Sequence, residues 1–468
     1  PGVDPSGSPD DTSADTPTPH TSDTAAPPDD PFRVPEVRLI GQWSLQAGWF
    51  LGFDQLDGDP QLELLVSETR NHEWPYGYTP QERVTVVEDD ATSGRVTARG
   101  WTLAASATDG LNELERFGNF GIGVRADPAN GAILIGAATN TDAFDVASFP
   151  YPADHVLGPA DALGTVRGSY FSLLHSWMGT LDLPRGRFLW CGTYETVGDY
   201  AFAGQVYLFD LPLLGAHDER DARASYRADP GDYVQFGLVD DGDLDGDGVH
   251  DLVFGAHARN GGLGAIAVLS DPPDGEQRIW DLAVATFDGD VPEGRLGEQL
   301  ATGDLDGDGQ ADLLTGAAMV YGSATFHAFR GPTEGEHLAS ASDWTLPGDD
   351  GLERLGVSSA AGDLDGDGDD DLVVGAPANP ALGVVDGRVW LFSGPLPPGA
   401  YTTDDAAFQV RNRQAPGTGD FFGVFLRTGD LTGDGALELA IAAPDDVHLG
   451  RTVGSVQILF GRSDLFEP

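Results

Sequence analysis

One pattern recurs along the chain, and a recurring unit constrains architecture before any single element does. The clearest copies are LVDDGDLDGDGVHDLVFGA (238 to 256), LATGDLDGDGQADLLTGAA (300 to 318), SAAGDLDGDGDDDLVVGAP (359 to 377) and LRTGDLTGDGALELAIAAP (426 to 444). Their loops begin at Asp243, Asp304, Asp363 and Asp430, about sixty residues apart. Extending the interval backwards finds LGFDQLDGDPQLELLVSE (51 to 68), which keeps the skeleton. FGIGVRADPANGAILIGAA (120 to 138) and MGTLDLPRGRFLWCGT (178 to 193) keep two flanking strands joined by shorter turns, which makes seven copies.

An alternating strand follows the copies, in ERVTVVED, GQVYLFD, GAIAVLS, ATFHAFRG, GRVWLFSG and GSVQILFG, with the second copy offering only a short match around DHVLG. One more extended piece lies between copies, as in RGWTLAA, RASYRAD, RIWDLAVATF, DWTLPGD and AAFQVRN. Four short strands per unit, bounded by Gly, Asp and Pro turns and without a helical period, describe an all-β array. Small twisted sheets that cannot stand alone bury both faces by stacking radially, so the expected fold is a seven-bladed β-propeller. The last unit ends near Phe460 without a fourth strand, while the folded part opens with an orphan strand, EVRLIGQW (36 to 43). The expectation is that this N-terminal strand closes the ring. Residues 1–33, almost all Pro, Ser, Thr, Asp, Ala and Gly, cannot bury enough surface to offset chain entropy and read as a disordered acidic tail or stalk ahead of a propeller over 34–468.

Oxygens recur at every second position of the loops: Asp243, Asp245, Asp247, the carbonyl of Val249, and Asp251. The equivalents are Asp304, Asp306, Asp308, Gln310 and Asp312, then Asp363, Asp365, Asp367, Asp369 and Asp371. In the fourth loop Asp430, Thr432, Asp434, the carbonyl of Ala436 and Glu438 trade one carboxylate for a hydroxyl. An all-oxygen donor set of flexible denticity suits Ca²⁺ better than Mg²⁺. The start resembles an EF-hand loop, but the last acid falls at position nine and strands flank it, so the expectation is a hairpin calcium loop. The first copy offers Asp57, Asp59 and Glu63, with neutral Gln55 and with Pro60 in place of a glycine. The alternative is a set of acidic hairpin turns without an ion. Sites with a Kd of about 10⁻⁴ to 10⁻³ M, at ten-fold excess, each add about 1.4 kcal/mol. Such sites stay empty at cytosolic calcium, so three to four structural Ca²⁺ sites imply an extracellular or cell-surface protein.

The chain carries 76 acidic against 25 basic residues, a formal charge of −51, and every basic residue is an arginine. Nucleic acid and anionic membrane surfaces would repel it. Cations, neutral sugars and basic protein patches remain as partners, or the charge simply hydrates the surface. Cys191 is the only cysteine, which excludes an internal disulfide and a cysteine metal cluster, and it reads as a small core residue. No run approaches the eighteen or so apolar residues of a membrane helix, and a first residue of proline suggests a mature or trimmed chain.

The residues FG…GDLDGDG…DLVVGAP…GRVWLFSG resemble the FG-GAP repeat of integrin α subunits and of many bacterial surface proteins. Phe236-Gly237, Leu296-Gly297, Leu355-Gly356 and Phe422-Gly423 stand in the FG place. Gly255-Ala256, Gly316-Ala317, Gly375-Ala376-Pro377 and Ala442-Ala443-Pro444 stand in the GAP place. The resemblance implies Ca²⁺ on the lower face of blades four to seven and a ligand on the opposite face, bound by connections of the early blades.

Those connections are long and aromatic, and Trp74, Tyr76, Tyr78, Phe149, Tyr151, Tyr194 and Tyr200 are the candidate ligand contacts, with packing between blades as the alternative. There is no nucleophile elbow, no zinc-protease motif and no phosphate loop, and no catalytic residue is assigned. The expected function is a calcium-stabilised binding module or adhesin-like surface protein, a monomeric head for a protein or carbohydrate ligand, not an enzyme. A structural subunit of a cell-surface complex is the alternative, and a hydrolase acting on a surface polymer is the third reading.

Overall fold

The computed structural model describes residues 32–33, 37–40, 45–56, 61–70, 81–90, 95–104, 120–137, 146–151, 161–168, 177–193, 204–232, 234, 242–290, 294–316, 325–331, 334–348, 354–377, 387–412, 420–448, 451–452 and 454–466. Seven sheets of four or five strands follow one another in sequence as blades 1 to 7 of a propeller. In blade 6, for example, the strands Ser358–Gly362, Asp371–Ala376, Arg388–Phe392 and Phe408–Arg411 pair antiparallel from first to fourth. The only helices among the described residues are single turns, so the all-β expectation holds.

Period-two alternation explains why the sheets stack. Within Asp371–Ala376, Leu372, Val374 and Ala376 pack with blade 5, whereas Val373 packs with blade 7. Both faces of the strand are thus buried, as in a stack of sheets. Each of the seven hydrophobic clusters joins two neighbouring blades, and together they cover every junction of the ring, including Leu51, Leu64 and Val66 of blade 1 against Ala440, Ala442 and Ile458 of blade 7. The core therefore lies between blades rather than within them. Cys191 is buried at the junction of blades 2 and 3.

The repeated glycines belong to these junctions. A Cβ added to Gly255 would stand 1.9 Å from the Gly297 carbonyl oxygen, one on Gly316 would stand 2.1 Å from that of Gly356, and one on Gly375 would stand 2.4 Å from that of Gly423. The glycine of the GAP place in one blade thus meets the glycine of the FG place in the next, backbone against backbone. Gly297, Gly356 and Gly423 also have φ of +82°, +81° and +85°, which L side chains rarely adopt.

The N-terminal strand closes the ring as expected. Val37–Ile40 pairs antiparallel with Ser455–Leu459, from Val37 opposite Ile458 to Ile40 opposite Ser455, and so completes blade 7. Phe32–Arg33, read from composition as the end of the tail, instead adds a parallel strand to Phe408–Arg411 of blade 6, since its partner there lies far away in sequence.

Two features were missed in the sequence. The third strand of blade 2 is Val146–Pro150, not the DHVLG segment, which lies outside the described residues. The connection before the fourth strand of blades 3 to 6 also contributes an edge strand, at Gly215–Asp218, Gly275–Arg278, Gly335–Leu338 and Gly399–Ala400, and each pairs in parallel with the preceding blade. Phe32–Arg33 stands in the same relation to Val37–Ile40.

Candidate metal loops on one rim of the ring

The loops at 304, 363 and 430 join the first and second strands of their blades, and the loop at 243 leads into the corresponding strand Leu252–Gly255 of blade 4, so the topology puts them on one rim. The first carboxylate of each loop is gripped by backbone amides. Asp243 Oδ1 accepts from Gly246 N at 2.7 Å and Asp247 N at 3.0 Å, and its Oδ2 accepts from Gly248 N at 2.7 Å. Asp363 repeats this with Gly366, Asp367 and Gly368 at 2.6, 3.0 and 2.9 Å. Asp304 accepts from Asp308 N and Gly309 N, and Asp430 from Gly433 N and Gly435 N. Paired glycines with positive φ, such as Gly246 at 78° and Gly248 at 85°, let so short a chain turn its amides inward.

The last acid is a strut. Asp251 Oδ2 accepts from Leu244 N at 2.6 Å, Asp312 from Leu305 N at 2.8 Å, Asp371 from Leu364 N at 2.9 Å and Glu438 from Leu431 N at 2.7 Å. Glu63 does the same in blade 1, accepting from Leu56 N at 2.7 Å, so the first copy keeps this part of the loop. Asp57 and Asp59 lie outside the described residues.

In three loops the acids converge: ligand oxygens of Asp243, Asp245 and Asp251, of Asp304, Asp306 and Asp308, and of Asp363, Asp365 and Asp371 lie within 4.8 Å of one another. Burial, followed by the charge of the neighbouring aspartates, pushes the carboxyls of Asp251, Asp312 and Asp371 up to about 7. Glu438 reaches about 7 for the same reasons, with Asp434 and Asp430 as its neighbours. Asp251 Oδ1 is buried and makes no hydrogen bond. A buried oxygen without a donor, beside two more carboxylates and with no nitrogen or sulfur ligand, fits a hard divalent cation. The donors supplied by Asp247, Asp367 and Asp434, by the hydroxyl of Thr432, by the side chains or backbone of Gln310 and Asp369, and by the carbonyls of Val249 and Ala436 stand in the same turns. Such an ion would supply charge neutralisation and a fixed turn geometry.

The loops are also tied to each other. Asp304 N donates to Asp370 Oδ2 of blade 6 at 2.9 Å, Leu437 N of blade 7 to the Asp363 carbonyl at 2.8 Å, and Leu62 N of blade 1 to the Asp430 carbonyl at 2.9 Å. Blade 3, with its short turn, uses an arginine instead: Arg185 Nε lies 3.0 Å from Asp274 of blade 4, and the same guanidinium pairs with Asp271. An arginine also enters the blade 5 loop, where Arg330 Nε is 2.6 Å from Asp306 and Nη2 is 3.1 Å from Asp308. Nothing in the D-x-D-x-D spacing pointed to Arg330, although its place directly after the third strand could have.

The aromatic candidates fare differently. Trp74, Tyr76, Tyr78, Tyr194 and Tyr200 lie outside the described residues. Phe149 does not belong to a ligand loop: it sits on the third strand of blade 2, 1% exposed, in the core between blades 1 and 2. Tyr151 is half-buried against the same core, and its N–H donates to the Gly131 carbonyl in the turn after the first strand, on the rim of the acidic loops. The correction has a simple cause, since VASFP alternates too briefly to read as a strand amid longer loop-like sequence.

A closed seven-bladed ring with such loops on one rim is the architecture of an integrin-α-like FG-GAP propeller. The FG-GAP repeat family matches residues 296–328 and 355–392. Integrin alpha-PS2 of Drosophila melanogaster is 30% identical over 211 residues, 43% of this chain and 14% of that protein. Integrin alpha-5 of Xenopus laevis is 28% identical over 275 residues, 55% of this chain and 24% of its own length. Phosphatidylinositol-glycan-specific phospholipase D of Bos taurus is 32% identical over 191 residues, 38% of this chain and 22% of that protein. The chain thus spans a quarter or less of each of these relatives. Among the described residues no helix is long and apolar enough to cross a membrane.

Proposed function

We propose that the chain is a calcium-stabilised extracellular binding module, adhesin-like, with the acidic rim as its structural face and the opposite face presented to a protein or glycan ligand. The observation that carries the calcium half is Asp251, whose buried Oδ1 has no hydrogen bond and whose carboxyl is pushed to about 7 by burial and by Asp245 and Asp243. A ring that relies on such loops needs a calcium-rich medium, which supports a location outside the cytosol. The residues that would hold the ions are those of the loops at 243, 304, 363 and 430. The ions would supply charge balance, not Lewis-acid chemistry, because each loop wraps its own acids. Resemblance to integrin α subunits supports a surface binding role for the face away from the ions.

Thermal melting of the full chain, in millimolar calcium and in EDTA, tests the calcium half; a melt that ignores EDTA sinks it. Arrays of matrix proteins and glycans test the ligand half. A saturable signal lost in EDTA supports binding, whereas co-purification of stoichiometric partner chains without such a signal turns the reading into that of an assembly subunit.

A further inference from the structure

The residue directly after the third strand reaches the acidic loop in two of the loop-bearing blades. In blade 4 it is Ser270, after Ala265–Leu269, whose hydroxyl donates to Asp247 Oδ2 at 3.4 Å. In blade 5 it is Arg330, after Thr325–Phe329. The same position holds Ser393 in blade 6, after Arg388–Phe392, whose hydroxyl donates to the Gly394 carbonyl at 3.4 Å, and Phe460 in blade 7, after Ser455–Leu459, which packs on the core between blades 7 and 1.

Arg330 takes a particular pair of oxygens. Asp306 Oδ1 accepts from Asp308 N at 3.2 Å and Asp308 Oδ1 from Gln310 N at 3.0 Å. The Oδ2 atoms of both, left over from the backbone, face Arg330 Nε and Nη2 at 2.6 and 3.1 Å. Asp306 is nearly buried there, with its side chain 8% exposed. A guanidinium stays charged at every relevant pH and presents its donors in a fixed fork.

We propose that Arg330 is a resident counter-cation of the blade 5 loop: it holds Asp306 and Asp308 in place without metal, and it opposes a divalent ion there. The blade 5 loop is therefore the weakest of the calcium sites and the one that keeps its shape when calcium is withdrawn. The proposal rests on the calcium reading of the loops and adds a gradient among them. Blade 4, with a neutral serine in the same place and the bare Asp251 Oδ1, stands at the opposite end.

Two variants of the full chain test it, each titrated with calcium by calorimetry and followed in EDTA by hydrogen exchange at residues 304–312. Arg330→Ser gives blade 5 the residue of blades 4 and 6. The weakest site should then tighten by about ten-fold, as affinity follows the charge of the ligand set. Exchange of the 308–310 amides in EDTA should speed up by about as much. Ser393→Arg should weaken one tight site to a similar degree, and it keeps the test alive if Arg330→Ser does not fold. Unchanged isotherms for both variants, in a wild-type chain that binds calcium, overturn the opposition to metal. A wild-type chain that binds no calcium ends the calcium reading instead, and the exchange data then decide alone: unchanged protection in Arg330→Ser ends the proposal too.

Discussion

A glycine precedes the first acid of every full loop, at 242, 303, 362 and 429, and the neighbouring blade is the reason. A Cβ on Gly303 would lie 2.1 Å from the Ala361 Cβ, and one on Gly429 would lie 2.2 Å from the Phe53 ring. Gly303→Ala should therefore cost about 1–3 kcal/mol as overpacking between blades; a denaturant midpoint equal to that of wild type would show that the junction yields freely. Asp251 makes a sharper case because its sign reverses with the medium. Asp251→Asn removes a buried charge, so in EDTA the variant should melt above wild type, while in saturating calcium it should melt below it and bind about ten-fold more weakly at one site. A variant that shifts the melt in the same direction in both media would separate this acid from the metal.

At the scale of the loop, the four struts set a pH dependence. The carboxyls of Asp251, Asp312 and Asp371 rise from 3.8, and that of Glu438 from 4.5, to about 7 on folding. A folded pKa above the unfolded one contributes stability that is complete below the unfolded value and is lost as pH rises through the folded value. In EDTA the melting temperature should thus fall between about pH 5 and about pH 8, and calcium should abolish the fall. His257 works the other way: burial and the Arg295 charge push it down to about 4, so its contribution is present above 6.5 and lost as pH falls through about 4. A melt in EDTA that rises across the upper window would mean that the struts are not the dominant groups. These loops were the most legible part of the chain, because a turn of this kind carries its acids at fixed local offsets. Edge strands such as Gly275–Arg278 were not, since what makes them strands is a partner in the preceding blade, and their sole local mark is a glycine nine or ten residues before the fourth strand. Phe149 was misplaced for a related reason: its burial is fixed by blade 1, which its neighbours in sequence do not reveal.

At the scale of the whole molecule, seven junctions form one closed chain of contacts, so weakening any of them loads the rest. Besides the packing of blade 1 on blade 7, strand pairing links the two ends of the chain: Val37–Ile40 on blade 7 and Phe32–Arg33 on blade 6. Deleting residues 1–40 should expose the Ser455–Leu459 amides to rapid exchange and lower the melting temperature by several degrees, whereas deleting 1–31 should do neither. Equal protection in both truncations would show that the ring holds without its clasp. The same link sets an order on biosynthesis. At roughly 5–20 residues per second, the first strands to leave the ribosome wait tens of seconds for the partners that only the seventh blade provides. Through that interval their hydrogen-bonding edges stand bare, and a chaperone or a neighbouring nascent chain has its opening there.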